Sequence, residues 1–172
     1  EKLEKKDATK IIFLGDYIDR GPQSVEIVEA LRTYEGKHEL ITLMGNHELM
    51  LLEEYAYDKQ AYNQLKSHKN SYSIRQWMGE LKLFHIEGKN IFAHAFYNTQ
   101  RIDEVQDPQE VLWHRMSDSE AFDSDEYYLT HGHTPILNGP TLSPNRCNLD
   151  TGAFRTGLLH IGCYKKDKKG PQ

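Results

Sequence analysis

Cysteine is scarce in this chain: Cys147 and Cys163 are the only two in 172 residues. Two thiols give neither a disulfide framework nor zinc-type spacing, which excludes a disulfide-stapled fold and leads us to expect a reducing, cytoplasmic setting. Long apolar runs are missing as well. None approaches the ~18 residues of a membrane span, and no basic-then-apolar leader opens the sequence, so no membrane partner is expected. Positive charge is in deficit, with 21 Lys+Arg against 26 Asp+Glu and a formal charge of −5, which argues against a nucleic-acid partner. Repeats are absent, and the terminal KKDKKGPQ over 165–172 reads as a frayed tail.

What remains is an ordinary globular composition, 38% hydrophobic and 27% charged, over a length that suits one domain spanning 1–172. Ile11 to Leu14 and Leu40 to Met44 are short apolar runs ended by Gly15 and Gly45, the pattern of buried strands. Between them Val25, Val28 and Leu31 recur every three positions, predicting an amphipathic helix over 24–34 that stops at Gly36. Residues 47–80 read as helical and rich in aromatics. A hairpin is expected about Glu87-Gly88-Lys89, and Pro108 should open a helix through Val111, Leu112 and Arg115. Tyr127 to Thr130, Arg146 to Leu149 and Leu158 to Tyr164 are further strand candidates. The order predicts an α/β start joined to an antiparallel second half.

The informative pattern lies at the strand exits. The first strand runs into Gly15-Asp16-Tyr17-Ile18-Asp19-Arg20-Gly21, the second into Gly45-Asn46-His47-Glu48, and later ones into His94-Ala95 and His131-Gly132-His133-Thr134. Open α/β sheets place ligands at the carboxyl ends of their strands, so these groups can converge. Asp16 can bridge two cations, Asn46 offers a carbonyl oxygen, and His94 and His133 offer imidazole nitrogens. Mixed O/N donors of this kind suit Mn, Fe or Zn. Arg20 can clamp a phosphate with its planar fork. Metal ligands beside a phosphate clamp point to phosphoester hydrolysis.

Gly15 to Gly21 as G-D-x-x-D-R-G, Gly45 to Glu48 as G-N-H-E, the strand ending in His94 and Gly132 to Thr134 as G-H-T together resemble the calcineurin-like metallophosphoesterases. Within them the chain is similar to the serine/threonine phosphoprotein phosphatases of the small bacterial and bacteriophage lambda type, a likeness extended by Trp113-His114-Arg115 and Leu149-Asp150-Thr151-Gly152-Ala153. The resemblance implies an α/β fold, a four-layer α/β/β/α sandwich. It implies a site of two divalent metal ions, Mn first with Fe or Zn as alternatives, with Asp16 bridging them and Asn46, His94 and His133 completing the second. His47 becomes the general acid oriented by Asp19, Arg20 and Arg115 hold the phosphate, and a metal-activated hydroxide attacks. His131 falls beside the metal position rather than in it.

One element of the family pattern is missing: no G-D-x-H-G motif precedes Asp16. The expectation is therefore an N-terminally incomplete fold that holds one cation and turns over poorly. Three functions stay open: a phosphatase acting on phosphoprotein or a small phosphoester, which leads; a symmetrical dinucleoside tetraphosphate hydrolase; and an inactive binding module. Asp19 favours the first. Oligomeric state has no signature in the sequence.

Overall fold

A computed structural model describes residues 8–102, 104–117 and 119–172. β1 (Lys10–Phe13) and β2 (Glu39–Thr42) pair in parallel with Lys10 opposite Glu39 and Phe13 opposite Thr42. They are joined by α1 (Ser24–Arg32), which buries Val28 and carries Glu26 in its first turn and Arg32 in its last, both favourable to the helix dipole. The expected helical stretch over 47–80 is three helices: α2 (Asn46–Leu52), α3 (Lys59–Ser67) and α4 (Ser71–Gly79). The break before α3 is set by Asp58, whose side chain accepts from Gln60 N and Ala61 N, so it caps a new helix rather than continuing the old one.

A second sheet has the order β3-β4-β5-β7-β6. β3 (Phe84–Glu87) and β4 (Asn90–Ala93) form the expected hairpin. β5 (Tyr128–His131) and β7 (Arg146–Asn148) then pair in parallel, each with the strand before it in the sheet, and β6 (Thr141–Leu142) returns antiparallel against β7 at the far edge. The expected antiparallel second half is thus corrected at its centre. The reason is the long crossover from β4 to β5, which contains α5 (Pro108–Trp113), because parallel neighbours need such a connection. α5 also ends before Arg115, contrary to expectation.

Alternation along β4 decides how the layers meet. Ile91 and Ala93 face a core that includes Val28 of α1, Leu65 of α3, Ile74 and Met78 of α4, and Leu112 of α5. Phe92, on the other face, packs with Ile41 and Leu43 of the first sheet and with Tyr164. Helices, one sheet and the other sheet therefore stack, and the mixed α/β class expected from the sequence is present. Fully buried side chains such as Leu43, Ile91 and Leu129 each contribute on the order of 1.5–3 kcal/mol.

Two C-terminal expectations change. Leu158 to Tyr164 forms no strand among the described residues; Leu158, Leu159 and Ile161 are exposed. Its apolar run is spent differently: the Tyr164 ring stacks edge-on to Phe92 at 5.0 Å and its hydroxyl meets Thr130 Oγ1 at 2.6 Å. The terminal run expected to fray is instead tied to β4, where Asn90 Nδ2 donates to Lys168 O and Gly170 N donates to Asn90 Oδ1. A short helix, α6 (Ala153–Thr156), lies between left-handed Gly152 and Gly157.

Candidate functional site

The ends of β1 and β2 are held together by one buried carboxylate. Glu48 Oε2 accepts from Asp16 N and Gly45 N, both at 2.9 Å, and Oε1 accepts from Tyr17 N at 2.8 Å and Ile18 N at 3.3 Å. The two loops touch backbone to backbone: a Cβ on Gly15, whose φ is +95°, would lie 2.5 Å from Gly45 N. Burial, reinforced by the nearby Asp16 carboxylate, pushes Glu48 up to about 7 despite its N–H donors. Sequence reasoning assigns Glu48 no role. The signal is present all the same, because a glutamate three residues after a helix cap is half of a capping box, and here it closes onto Gly45 N.

On this frame the predicted residues meet. Asp16, His94 and His133 present ligand atoms all within 4.8 Å of one another. Asn46 Oδ1 lies 3.0 Å from both His94 Nε2 and His133 Nδ1, and those two nitrogens are 3.2 Å apart. His94 Nδ1 lies 2.7 Å from Leu14 O, a contact that requires the ring proton on Nδ1 and leaves Nε2 with a lone pair. Burial and the neighbouring His94 lower His133 to about 4, so its ring is neutral at pH 7. His133 Nε2 is buried without a hydrogen-bond partner. Lone pairs crowded this closely are satisfied by a cation, and the O/N donor set fits a divalent transition metal.

His47 and Asp19 form the adjacent pair. His47 Nδ1 is 2.5 Å from Asp19 Oδ2, and its Nε2 faces Asp16 Oδ2 at 4.0 Å. Both His47 and the Asp19 carboxylate are shielded, at 2% and 6% side-chain exposure, so the contact is not diluted by water. Backbone strain gathers here. Asp16, Asp19, Arg20 and His133 all have φ between 58° and 69°, and Glu54 is the one other non-glycine residue like them among the described residues. Strain of this kind persists where surrounding contacts impose it.

The arginines stand at the rim. Arg20 is exposed, with its guanidinium 4.8 Å from the Phe154 ring centre and 5.4 Å from that of Tyr57. Arg115 is exposed too, and close enough for its charge to help depress His133. His131 sits below the floor: its Nε2 accepts from Arg146 Nη1 at 3.0 Å, and burial lowers it to about 4. His114 contacts Glu120 Oε1 at 2.9 Å rather than the centre. Two further residues have no role assigned from the sequence, although Asp150 lies within the Leu149 to Ala153 likeness. Asp150 lies two residues past the end of β7 and is raised by burial and by Asp16, which puts a second carboxylate within electrostatic reach of the first. Tyr57 meets the His47 ring edge-on at 4.6 Å. The family likeness over Leu149 to Ala153 marks Asp150; nothing local marks Tyr57.

Known proteins share this architecture. A curated relative, the symmetrical bis(5'-nucleosyl)-tetraphosphatase of Buchnera aphidicola subsp. Baizongia pistaciae (strain Bp), is 31% identical over 104 residues, which is 55% of this chain. The match spans 36% of that relative's length. Among solved structures, one titled as a putative diadenosine tetraphosphatase aligns with TM-score 0.62 at 18% identity over 84% of this chain and 71% of its own. A cold-active protein-tyrosine phosphatase of a psychrophile Shewanella sp. aligns with TM-score 0.63 at 17% identity, over 84% of this chain and 61% of its own. These structures share the fold. The family model for calcineurin-like phosphoesterases matches residues 1–159, and the chain therefore belongs to the calcineurin-like phosphoesterase family.

Proposed function

We propose that this protein is a metal-dependent phosphoester hydrolase acting on dinucleoside tetraphosphates. The observation that carries the hydrolytic reading is the crowding of Asn46 Oδ1, His94 Nε2 and His133 Nδ1 within 3.2 Å of one another, beside Asp16 and next to the His47–Asp19 pair. The substrate rests on the tetraphosphatase relative, which reverses the order of substrates expected from the sequence. Asp16, Asn46, His94 and His133 would hold one divalent cation, Mn first among the candidates; a second would need further donors of the kind the absent G-D-x-H-G motif supplies. Bound there, divalent cations supply Lewis acidity and activate water at neutral pH.

The chain's own groups do the rest. Arg20 and Arg115, at the rim, grip the phosphate oxygens and orient the ester over the floor. Asp19 fixes the His47 proton on Nδ1 and stabilises the imidazolium, so that Nε2–H points at the leaving oxygen and protonates it as the bond breaks. A second reading, phosphoprotein hydrolysis, is favoured by that same Asp19, which belongs to the phosphoprotein-phosphatase pattern.

Turnover of diadenosine tetraphosphate and of a phosphoserine peptide, each with Mn²⁺ and with chelator, separates the readings. The expected result is chelator-sensitive cleavage of the tetraphosphate, falling on the order of 100-fold or more in His47→Ala. Faster peptide hydrolysis would restore the phosphoprotein reading. Cation binding with no turnover of either substrate would make the chain a binding module.

A further inference from the structure

Beside Arg20 lies a cleft of about 220 Å³, lined by Arg20, Gly21, Pro22, Asp58, Gln60 and Gln64 together with Ala61. It runs from the phosphate-gripping rim toward the start of α3. Gln60 and Gln64 are four residues apart on that helix and share a face. Both are exposed. Two exposed rings, Tyr57 and Phe154, stand beside the Arg20 guanidinium, with centres 5.4 and 4.8 Å from it.

The lining defines what can enter. Among the described residues Arg20 is the one cation lining it, and beyond it come two neutral amides and the Asp58 carboxylate. That carboxylate repels a second anionic group, so the occupant carries its phosphate at Arg20 and an uncharged, hydrogen-bonding body beyond. Side-chain amides pair bidentately with planar ring edges that display both a donor and an acceptor. The aromatic rings beside Arg20 add stacking for a flat ring, a contact open to any base. An extended peptide could pair with the amides, but its backbone offers no flat face to stack.

We infer that this cleft is the nucleoside subsite, in which Gln60 and Gln64 read the edge of a nucleobase whose phosphate is held at Arg20. The inference deepens the function proposed above and rests on it for the phosphate's position. Gln60 and Gln64 are specificity-determining here and take no part in bond breaking.

Calorimetric titration of the whole chain in Mn²⁺ tests it, using ADP and pyrophosphate as probes, which differ by the nucleoside. Wild type should bind ADP about tenfold more tightly than pyrophosphate, the scale of one stacked and hydrogen-bonded base. In Gln60→Ala/Gln64→Ala that preference should shrink to about twofold, with pyrophosphate affinity unchanged. Equal affinities in wild type overturn the inference, as does a preference that survives the double substitution. Equal weakening of both probes overturns it too, because it would trace to Arg20 or to the shape of the cleft. If a phosphoserine peptide loses affinity in the variant while ADP does not, the cleft belongs to peptide. The underlying function fails separately: wild type that prefers ADP as expected but cleaves no phosphoester retains the subsite and loses the hydrolase reading.

Discussion

Replacing Glu48 by glutamine removes one oxygen from the joint between the β1 and β2 loops. The carboxylate accepts four backbone N–H groups, two on each oxygen. Glutamine keeps one pair and turns an NH₂ toward the other, leaving two buried donors unpaired at roughly 1–3 kcal/mol each. Part of that roughly 2–6 kcal/mol is offset, because burial makes the Glu48 charge costly, and the net loss at pH 7 is about 2–3 kcal/mol. With a urea m-value near about 2 kcal/mol/M, the midpoint should fall by about 1 M. Cation affinity, measured by calorimetry, should weaken as well, since Asp16 and the Asn46 turn lose their common anchor. Glu53→Gln, at an exposed position on the same segment, is the control and should leave both readings unchanged. A Glu48→Gln midpoint within about 0.2 M of wild type would refute the joint.

Acid stability should be governed in part by His131. Its folded value is lowered to about 4 from 6.5, so the unfolded chain binds the proton more readily. The stabilisation is complete above about pH 6.5 and is lost as the pH falls to about 4. That amounts to about 3 kcal/mol, and His131→Gln should flatten this limb of the unfolding free energy against pH; an equally steep limb refutes the assignment. Gly15→Ala adds a Cβ 2.5 Å from Gly45 N at a φ of +95° and should cost about 2 kcal/mol or more. Thermal unfolding reads this against Gly139→Ala, where nothing lies within 4 Å. Equal melting temperatures for the two variants count against the close approach.

Much of the candidate site is legible in the sequence because Asp16, Asn46, His94 and His133 all fall within four residues of a strand end. A short, mostly apolar run ended by glycine marks the edge where Asp16 or Asn46 must emerge, and that information is local. Glu48 stands inside one of the motifs, yet its task stays hidden, because its partners at 16–18 are distant in sequence and a carboxylate reads as an exposed helix residue until burial is seen. The parallel pairing of β4, β5 and β7 is hidden for a related reason. Strand direction depends on the crossover between strands, and nothing in four buried residues encodes it. Leu158 to Tyr164 has the composition of a strand, but composition does not supply a neighbour's ladder. Tyr57 stands out as one of many aromatics, whereas its contact with His47 depends on how the segment between α2 and α3 turns.

The hydrogen bond between His94 and Leu14 O carries a wider consequence. His94 leaves the second sheet, and Leu14 follows the first strand of the other, so this bond at 2.7 Å is a rivet across the seam between layers. The spacing of the donors then depends on how Phe92 seats against Ile41 and Leu43, residues that touch no ligand. Any slippage of one layer over the other would detune the cluster before the molecule unfolds. Affinity for a divalent ion is, on these terms, a gauge of alignment deep in the interior.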